Sequence, residues 1–227
     1  MDYTALFIVI VLFLVLMVML YQNSQDRKLL ETVTKAHRGT RTEREMVLKL
    51  LKSGIPAETI FHDLYLEKQG NHYCQIDLVV ATKVGIIVFE IKKYNGWIFG
   101  LANQTHWTQL LDYGKQPYRF YNPILQNKKH VEDLKKQLPQ FQNIPFYSVI
   151  VFFGDCSFRN LDYVPNKTFL VKSFNAIEVV NAIVEQNETA KYKSKREIVN
   201  LLQAASLNGA NEAIREAHVK NIKRNFG

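Results

Sequence analysis

Gln75-Ile76-Asp77 and, one hairpin later, Glu90-Ile91-Lys92 carry two carboxylates and an amine at positions that backbone pairing can bring together. Carboxylate oxygens of this kind suit a hard divalent cation, and an ammonium beside them can position water for attack on a phosphodiester. Tyr73–Thr82 and Gly85–Lys92 are rich in Ile, Val and Phe, and Thr82-Lys83-Val84-Gly85 separates them. That pattern predicts two antiparallel strands. With the turn centred on Lys83-Val84, paired residues have numbers adding to 167, which sets Asp77 opposite Glu90 and Gln75 opposite Lys92.

Side chains alternate along a strand, so Gln75, Asp77, Glu90 and Lys92 are expected on one face. Ile76, Leu78, Val80, Ile87, Phe89 and Ile91 then form an apolar face for the core, while Val79, Ala81, Ile86 and Val88 continue the charged face toward the turn. Two like charges opposite each other destabilise a bare hairpin. A bound cation reverses that sign, and Lys92 partly offsets it.

The elements around this hairpin follow from patterning. A helix is expected from Thr42 to Lys52, with Met46, Val47, Leu50 and Leu51 as its apolar stripe and Ser53-Gly54-Ile55-Pro56 as its end. A first strand spans Ile60–Leu66. After the hairpin, Tyr94–Gly100 and Trp107–Leu110 predict a smaller one, and Tyr113–Tyr121 a loop. Asn122-Pro123 suits a helix start, with asparagine as cap and proline first, continuing to Leu138 on an inner face of Leu125, Val131, Leu134 and Leu138. Phe146–Phe153 is an apolar run broken only by Ser148, the mark of a central strand buried on both faces. A strand at Thr168–Val171 and helices at Asn175–Gln186, Ser194–Ser206 and Gly209–Lys223 complete an α/β chain around a mixed sheet.

The N-terminus has a different character. Ala5–Leu20 is an unbroken apolar run, and Thr4 to Tyr21 as a helix is about 27 Å long at about 1.5 Å per residue. That approaches the hydrocarbon thickness of a bilayer. No basic n-region and no small-x-small cleavage site accompany it, so a retained anchor is expected rather than a signal peptide. Arg27, Lys28, Lys35, Arg38, Arg41 and Arg44 follow the span, and no Lys or Arg precedes it. The positive-inside rule therefore places the rest of the chain in the cytoplasm. Two cysteines, Cys74 and Cys156, fit a reducing compartment and read as buried thiols.

The formal net charge of +8 points to anionic partners, nucleic acid or lipid headgroups. Residues 191–227 hold a disproportionate share, with eight basic side chains against three acidic, net +5. The organisation expected is an anchor over 1–22, a linker over 23–38, a core over 39–155, a strand and helix completing it over 156–190, and a basic helical extension over 191–227.

Taken in order, Gly39-Thr40-Arg41-Thr42-Glu43, Gln75-Ile76-Asp77, Gly85–Lys92, Tyr94–Gly100, Trp107, Asn122-Pro123, Gln126, His130 and the strand ending at Phe153 resemble the NERD (nuclease-related) domain, a branch of the PD-(D/E)xK nuclease superfamily. Ile76 stands where the superfamily name puts proline, and Thr42 where many relatives have glycine. The resemblance implies a nuclease-like mixed β-sheet flanked by helices. It also implies Mg²⁺ or Mn²⁺ held by Asp77, Glu90 and Glu43, with Lys92 orienting water and stabilising the phosphorane. Gln75 would sit behind the ligands or touch phosphate. Gln126 and His130, at i and i+4, contact the nucleic acid backbone or serve packing.

Trp97, Trp107, Tyr94 and Tyr121 are packing residues or base-stacking ones. The expected function is thus a membrane-anchored, metal-dependent nuclease acting on DNA. A tethered nucleic-acid-binding or scaffold module with little or no catalysis is the alternative, and docking of basic segments on anionic lipid is a third.

Overall fold

The computed structural model of the protein describes residues 3–68, 72–111, 117–162 and 164–226. Its centre is a five-stranded mixed sheet of β1 (Ile60–Lys68), β2 (His72–Thr82), β3 (Gly85–Lys93), β7 (Phe146–Phe153) and β9 (Thr168–Lys172), in the order β1-β2-β3-β7-β9. The first three pair antiparallel, and β3, β7 and β9 run parallel. A smaller sheet in the order β6-β5-β4-β8 joins β4 (Gly96–Phe99), β5 (His106–Leu110), β6 (Tyr118–Tyr121) and β8 (Cys156–Arg159). Part of the stretch expected as loop is therefore strand β6, and its residues 113–116 lie outside the described residues.

Both faces of the large sheet are covered. On one, Met46, Val47 and Leu50 of α2 (Arg41–Lys52) and Val180 and Ile183 of α4 (Ala176–Gln186) pack on Leu78, Val80, Ile87, Phe89 and Ile91. On the other, Leu134 of α3 (Pro123–Lys135) and Ile198, Leu202 and Ala205 of α5 (Lys195–Ala210) pack on Val79, Ile86 and Val88. This corrects the expectation of a single apolar face: Val79, Ile86 and Val88 line a second core, and Ile76 belongs to it rather than to the Leu78 side. Strand β7 is buried at every position, as a central parallel strand should be.

A third cluster, Ile98, Trp107, Phe120, Ile124, Ile150 and Phe152, seals the small sheet against β7 and α3. Asn122 caps α3 by accepting from the Ile124 N–H at 2.9 Å, and Pro123 occupies its first turn. The buried face of α3 is more polar than expected, because Asn127, His130 and Asp133 turn inward while Val131 and Leu138 are only partly buried.

Helix α1 (Tyr3–Glu31) is long and apolar enough to cross a membrane, with no residue buried against the rest of the chain. It continues through residues expected as linker, and Leu30 and Val33 pack on the α2 side of the core. Helix α6 (Glu212–Phe226) ends the chain, and His218 Nδ1 lies 2.9 Å from the Tyr73 carbonyl of β2.

Candidate active site

Four ladder steps past the Thr82–Gly85 pair, the hairpin register reaches Leu78–Phe89 and then stops. Its pairs add to 167 throughout, as the turn at Lys83-Val84 predicts. Beyond them Asp77 does not pair across. Its Oδ2 instead accepts from the Ile91 backbone N–H at 2.8 Å, inserting a carboxylate where a ladder bond would be. On the opposite edge of β2, Asp63 of β1 takes φ +52°, and the β1–β2 ladder lacks that pair as well.

The two irregularities lie side by side and switch which face the strands present. Phe61, Leu64 and Leu66 therefore share one core, and Ile76 and Leu78 face different ones. This is why Gln75 is not beside Lys92: its Nε2 donates to Asp63 Oδ1 at 3.0 Å, and it pairs with Tyr65. The expected register, with Gln75 opposite Lys92 on the face of Asp77 and Glu90, is corrected accordingly.

The remaining residues converge from both sides of the sheet. From β3, Glu90 is 1% exposed and Lys92 21%, and Lys92 Nζ lies 2.6 Å from Glu90 Oε1. From α3, Gln126 Oε1 accepts from Lys92 Nζ at 3.1 Å, and His130 Nε2 is 3.4 Å from Glu90 Oε2. Gln126 and His130 are thus aimed at Lys92 and Glu90 instead of outward. Behind His130, its Nδ1 meets Cys74 Sγ at 3.1 Å. From α2, Glu43 is buried, and its Oε1 accepts from the Thr40 hydroxyl at 2.7 Å while the Thr40 side chain accepts from the Glu43 N–H. Thr40-x-x-Glu43 is a capping-box spacing, and the cap fixes where the carboxylate points.

Glu43 Oε2 lies 3.4 Å from His62 Nε2, and His62 Nδ1 is 2.8 Å from Thr34 Oγ1. Neither Glu43 Oε2 nor Glu90 Oε2 has a hydrogen-bond partner in a buried setting. Nothing in the apolar rhythm of β1 singles out His62, and its only sequence signal is a polar pair, His62-Asp63, inside an otherwise apolar strand.

Gly39 closes over this corner. A Cβ there would lie 2.4 Å from Glu43 Oε2 and 2.6 Å from His62 Nε2, at φ +56°. Gly39→Ala should lower stability by about 1–3 kcal/mol, from left-handed strain and the contact together, as read by denaturant unfolding. An unchanged midpoint would mean that this corner is loosely packed.

The electrostatics are those of crowded like charges. Burial, then the Glu90 and Glu43 carboxylates, push Asp77 well above the ordinary carboxylate range, against the pull of the Ile91 N–H and Lys92. For Glu43, burial acts upward but is outweighed by His62 and the Thr40 hydroxyl, which leave it lowered. Burial lowers the Lys92 amine, but Glu90 and then Asp77 overcome it and raise it. His130 behaves alike: burial opposes the charge, yet Cys74 and Glu90 carry it up to about 10.

Asp77 of β2 is thus crowded by the carboxylates of Glu90 on β3 and Glu43 on α2, with Lys92 and His130 as the nearby cations and Asp77 and Lys92 the partly open members. The donor set, all oxygen and with two orphaned atoms, fits Mg²⁺ or Mn²⁺. Among the described residues no three such side chains already form a closed ligand cluster. A hollow of about 660 Å³ lies instead toward the C-terminal end of α3, lined by Glu67, Lys68, Asp133, Lys136 and Gln137.

Asp63 anchors the parted strands from behind. Arg38 is buried there, donating to the carbonyls of His62 (3.1 Å), Asp63 (2.7 Å) and Ser206 (2.8 Å), and pairing with Asp63 Oδ2 at 3.4 Å. It joins the segment after α1, the turn in β1 and helix α5.

The profile of the nuclease-related domain matches residues 38–153, from Arg38 to the end of β7. An uncharacterized protein of Bacillus anthracis is 28% identical over 137 residues, covering 59% of this chain and 63% of the relative. The chain thus matches less than two thirds of that protein's length. No solved structure matches.

Proposed function

The chain belongs to the nuclease-related domain family, and on that premise we propose that it is a membrane-anchored, divalent-metal-dependent nuclease that hydrolyses phosphodiester bonds in DNA. The observation that carries the reading is the crowding of Asp77 by the Glu90 and Glu43 carboxylates beside Lys92, with the Oε2 atoms of both glutamates buried, without a hydrogen-bond donor and each 3.4 Å from a histidine Nε2. Mutual repulsion of three carboxylates costs stability, and hydrolytic chemistry gives that cost a purpose.

Asp77, Glu90 and Glu43 would hold Mg²⁺ or Mn²⁺, whose chemistry when bound is to generate the nucleophile and neutralise developing charge. The chain's own groups do the rest. Lys92, the most solvent-open of the charged pair with Glu90, orients the attacking water and stabilises the extra negative charge on phosphorus. Gln126 fixes the direction of the Lys92 amine, and His130, as an imidazolium, holds Glu90 in place. Glu43 is set by its cap and by the Thr34–His62 pair.

Helix α1 supplies the membrane anchor, with the domain on the cytoplasmic side because the basic residues follow the span. The basic C-terminal extension adds sequence-independent attraction for phosphate that weakens with salt.

One observation favours a second reading, a tethered nucleic-acid-binding or scaffold module: Glu90 is already neutralised by Lys92 and His130. The full chain, purified in detergent, decides between the two when incubated with linear, nicked and single-stranded DNA in Mg²⁺, Mn²⁺ or EDTA. Cleavage that needs the metal and disappears in Asp77→Ala is expected. Equal cleavage by wild type and Asp77→Ala, or none by either, rejects the enzyme and leaves the scaffold.

A further inference from the structure

The small sheet has an outer face of unusual chemistry. Strand alternation, with Ile98, Trp107, Phe120 and Cys156 turned into the core, points Trp97 and Phe99 of β4, His106 of β5, Arg119 and Tyr121 of β6 and Arg159 of β8 the other way. Register confirms that these are neighbours: Phe99 pairs with Arg159 and with Thr108, Thr108 pairs with Arg119, and His106 pairs with Tyr121. Trp97 is 41% exposed and Tyr121 44%.

Their rings are held apart by edge contacts instead of stacking face to face. Trp97 meets Phe99 edge-on at 6.5 Å, and Tyr121 meets His106 edge-on at 6.0 Å. The Arg159 guanidinium lies 5.4 Å from the Trp97 ring centre. None of the four strands contains an aspartate or glutamate, although the chain has 21. Exposed aromatic rings beside arginines, on strands that carry no carboxylate, match one class of partner: unpaired bases on a phosphate backbone. A protein partner would find no carboxylate on these strands for its own basic groups. A duplex keeps its base faces stacked on one another, out of reach of Trp97 and Tyr121.

We propose that the outer face of the β6-β5-β4-β8 sheet is a platform for single-stranded nucleic acid, with bases stacking on Trp97 and Tyr121 and phosphates met by Arg119 and Arg159. It lies beside the proposed hydrolytic centre in the chain. Lys92 precedes Trp97 by five residues, at most about 18 Å of extended backbone. The inference deepens the nuclease reading by naming the form of substrate, and it rests on that reading for its purpose though not for its binding. Trp107 and Phe120, also aromatic, belong to the core and take no part.

The test is fluorescence anisotropy with the full chain in detergent and EDTA, so that no cleavage intervenes. The probes are a labelled oligothymidylate of about 16 nucleotides and the same strand annealed to oligoadenylate. The double variant Trp97→Ala/Tyr121→Ala should bind oligothymidylate at least tenfold more weakly, with duplex affinity changed much less. Trp97→Phe, which keeps a π face, should stay within about threefold of wild type. Binding should also quench the emission of Trp97, the exposed one of the two tryptophans.

Unchanged oligothymidylate affinity in the double variant overturns the proposal, as does an equal loss for duplex. Full competition by phosphatidylglycerol in mixed detergent micelles at equal phosphate would also overturn it, by assigning the face to lipid. A double variant whose near-ultraviolet circular dichroism still reports Trp107 in its core keeps the comparison valid; one that does not is replaced by Arg159→Gln, for which the same tenfold loss is required. Unchanged oligothymidylate binding in the double variant while Mn²⁺- and Asp77-dependent cleavage persists would fault the inference alone. Tight single-strand binding without any Asp77-dependent cleavage would fault the nuclease reading alone.

Discussion

Arg38→Ala is expected to destabilise the full chain by about 3–5 kcal/mol, because it strands a buried carboxylate and several carbonyls at once. The guanidinium and its partner Asp63 are 7% and 2% exposed. Arg38 also satisfies the His62, Asp63 and Ser206 carbonyls, and Asp63 holds left-handed backbone that only surrounding structure can maintain. Helix α5 comes so close here that a Cβ on Gly209 would sit 2.2 Å from the Asp63 carbonyl. Urea unfolding in detergent should show the loss, and Arg38→Lys should recover only part of it, since one ammonium cannot span four acceptors. A loss under about 1 kcal/mol would mean that Asp63 and α5 are held by other contacts. Because Asp63 is the position skipped opposite Asp77 in the β1–β2 ladder, the Arg38 variant should also lose cleavage beyond what unfolding explains.

Asp77→Asn should separate stability from activity. Cleavage is expected to fall by about 10³-fold or more, since an amide is a poor ligand for a hard cation and cannot share the charge of the site. In cation-free buffer the same substitution should raise the melting temperature, by about 2–4 °C for each kcal/mol of repulsion relieved. The amide oxygen can still accept the Ile91 N–H, so the parted strands keep their shape.

The sign follows from the raised carboxyl. A folded-state value above the unfolded one gives stability that is complete below the ordinary aspartate range and is lost as pH rises through the folded value. Asparagine removes that loss, and the gain over wild type should therefore grow from acid toward neutral pH. A melting temperature that falls at neutral pH would show that Asp77 is stabilising without metal, against the crowding described above.

Much of this arrangement is legible before any coordinates. The turn at Lys83-Val84 and the sum of 167 carry through every pair from Thr82–Gly85 to Leu78–Phe89. The α2 stripe, the proline-led start of α3, the β7 strand apolar but for Ser148 and the membrane-length helix follow equally from local rules. What alternation cannot supply is the place where alternation fails. An ideal ladder sends Gln75 and Asp77 to the same face, whereas the Asp77 carboxylate bonds the Ile91 N–H, Asp63 turns left-handed, and Gln75 goes to Asp63.

Val79, Ile86 and Val88 are apolar on the supposed polar face, and that was the signal that a second layer covers it. Glu43 is marked by the Thr40-x-x-Glu43 cap, but its closeness to Asp77 depends on how α2 packs across the sheet. Cys74 and His62 matter through neighbours 56 and 28 residues away, a separation at which no local pattern speaks.

The cation seat itself is the claim on which the account turns, and calorimetric titration of Mn²⁺ into the full chain tests it most directly. Carried out with Lys92→Met, which removes the proposed water-orienting amine but leaves all three carboxylates, the titration should show saturable binding at least as tight as wild type. Asp77→Ala and Glu90→Gln should each abolish it. Mn²⁺ binding that survives both substitutions, or that is absent from wild type and Lys92→Met alike, would contradict a metal site built from Glu43, Asp77 and Glu90.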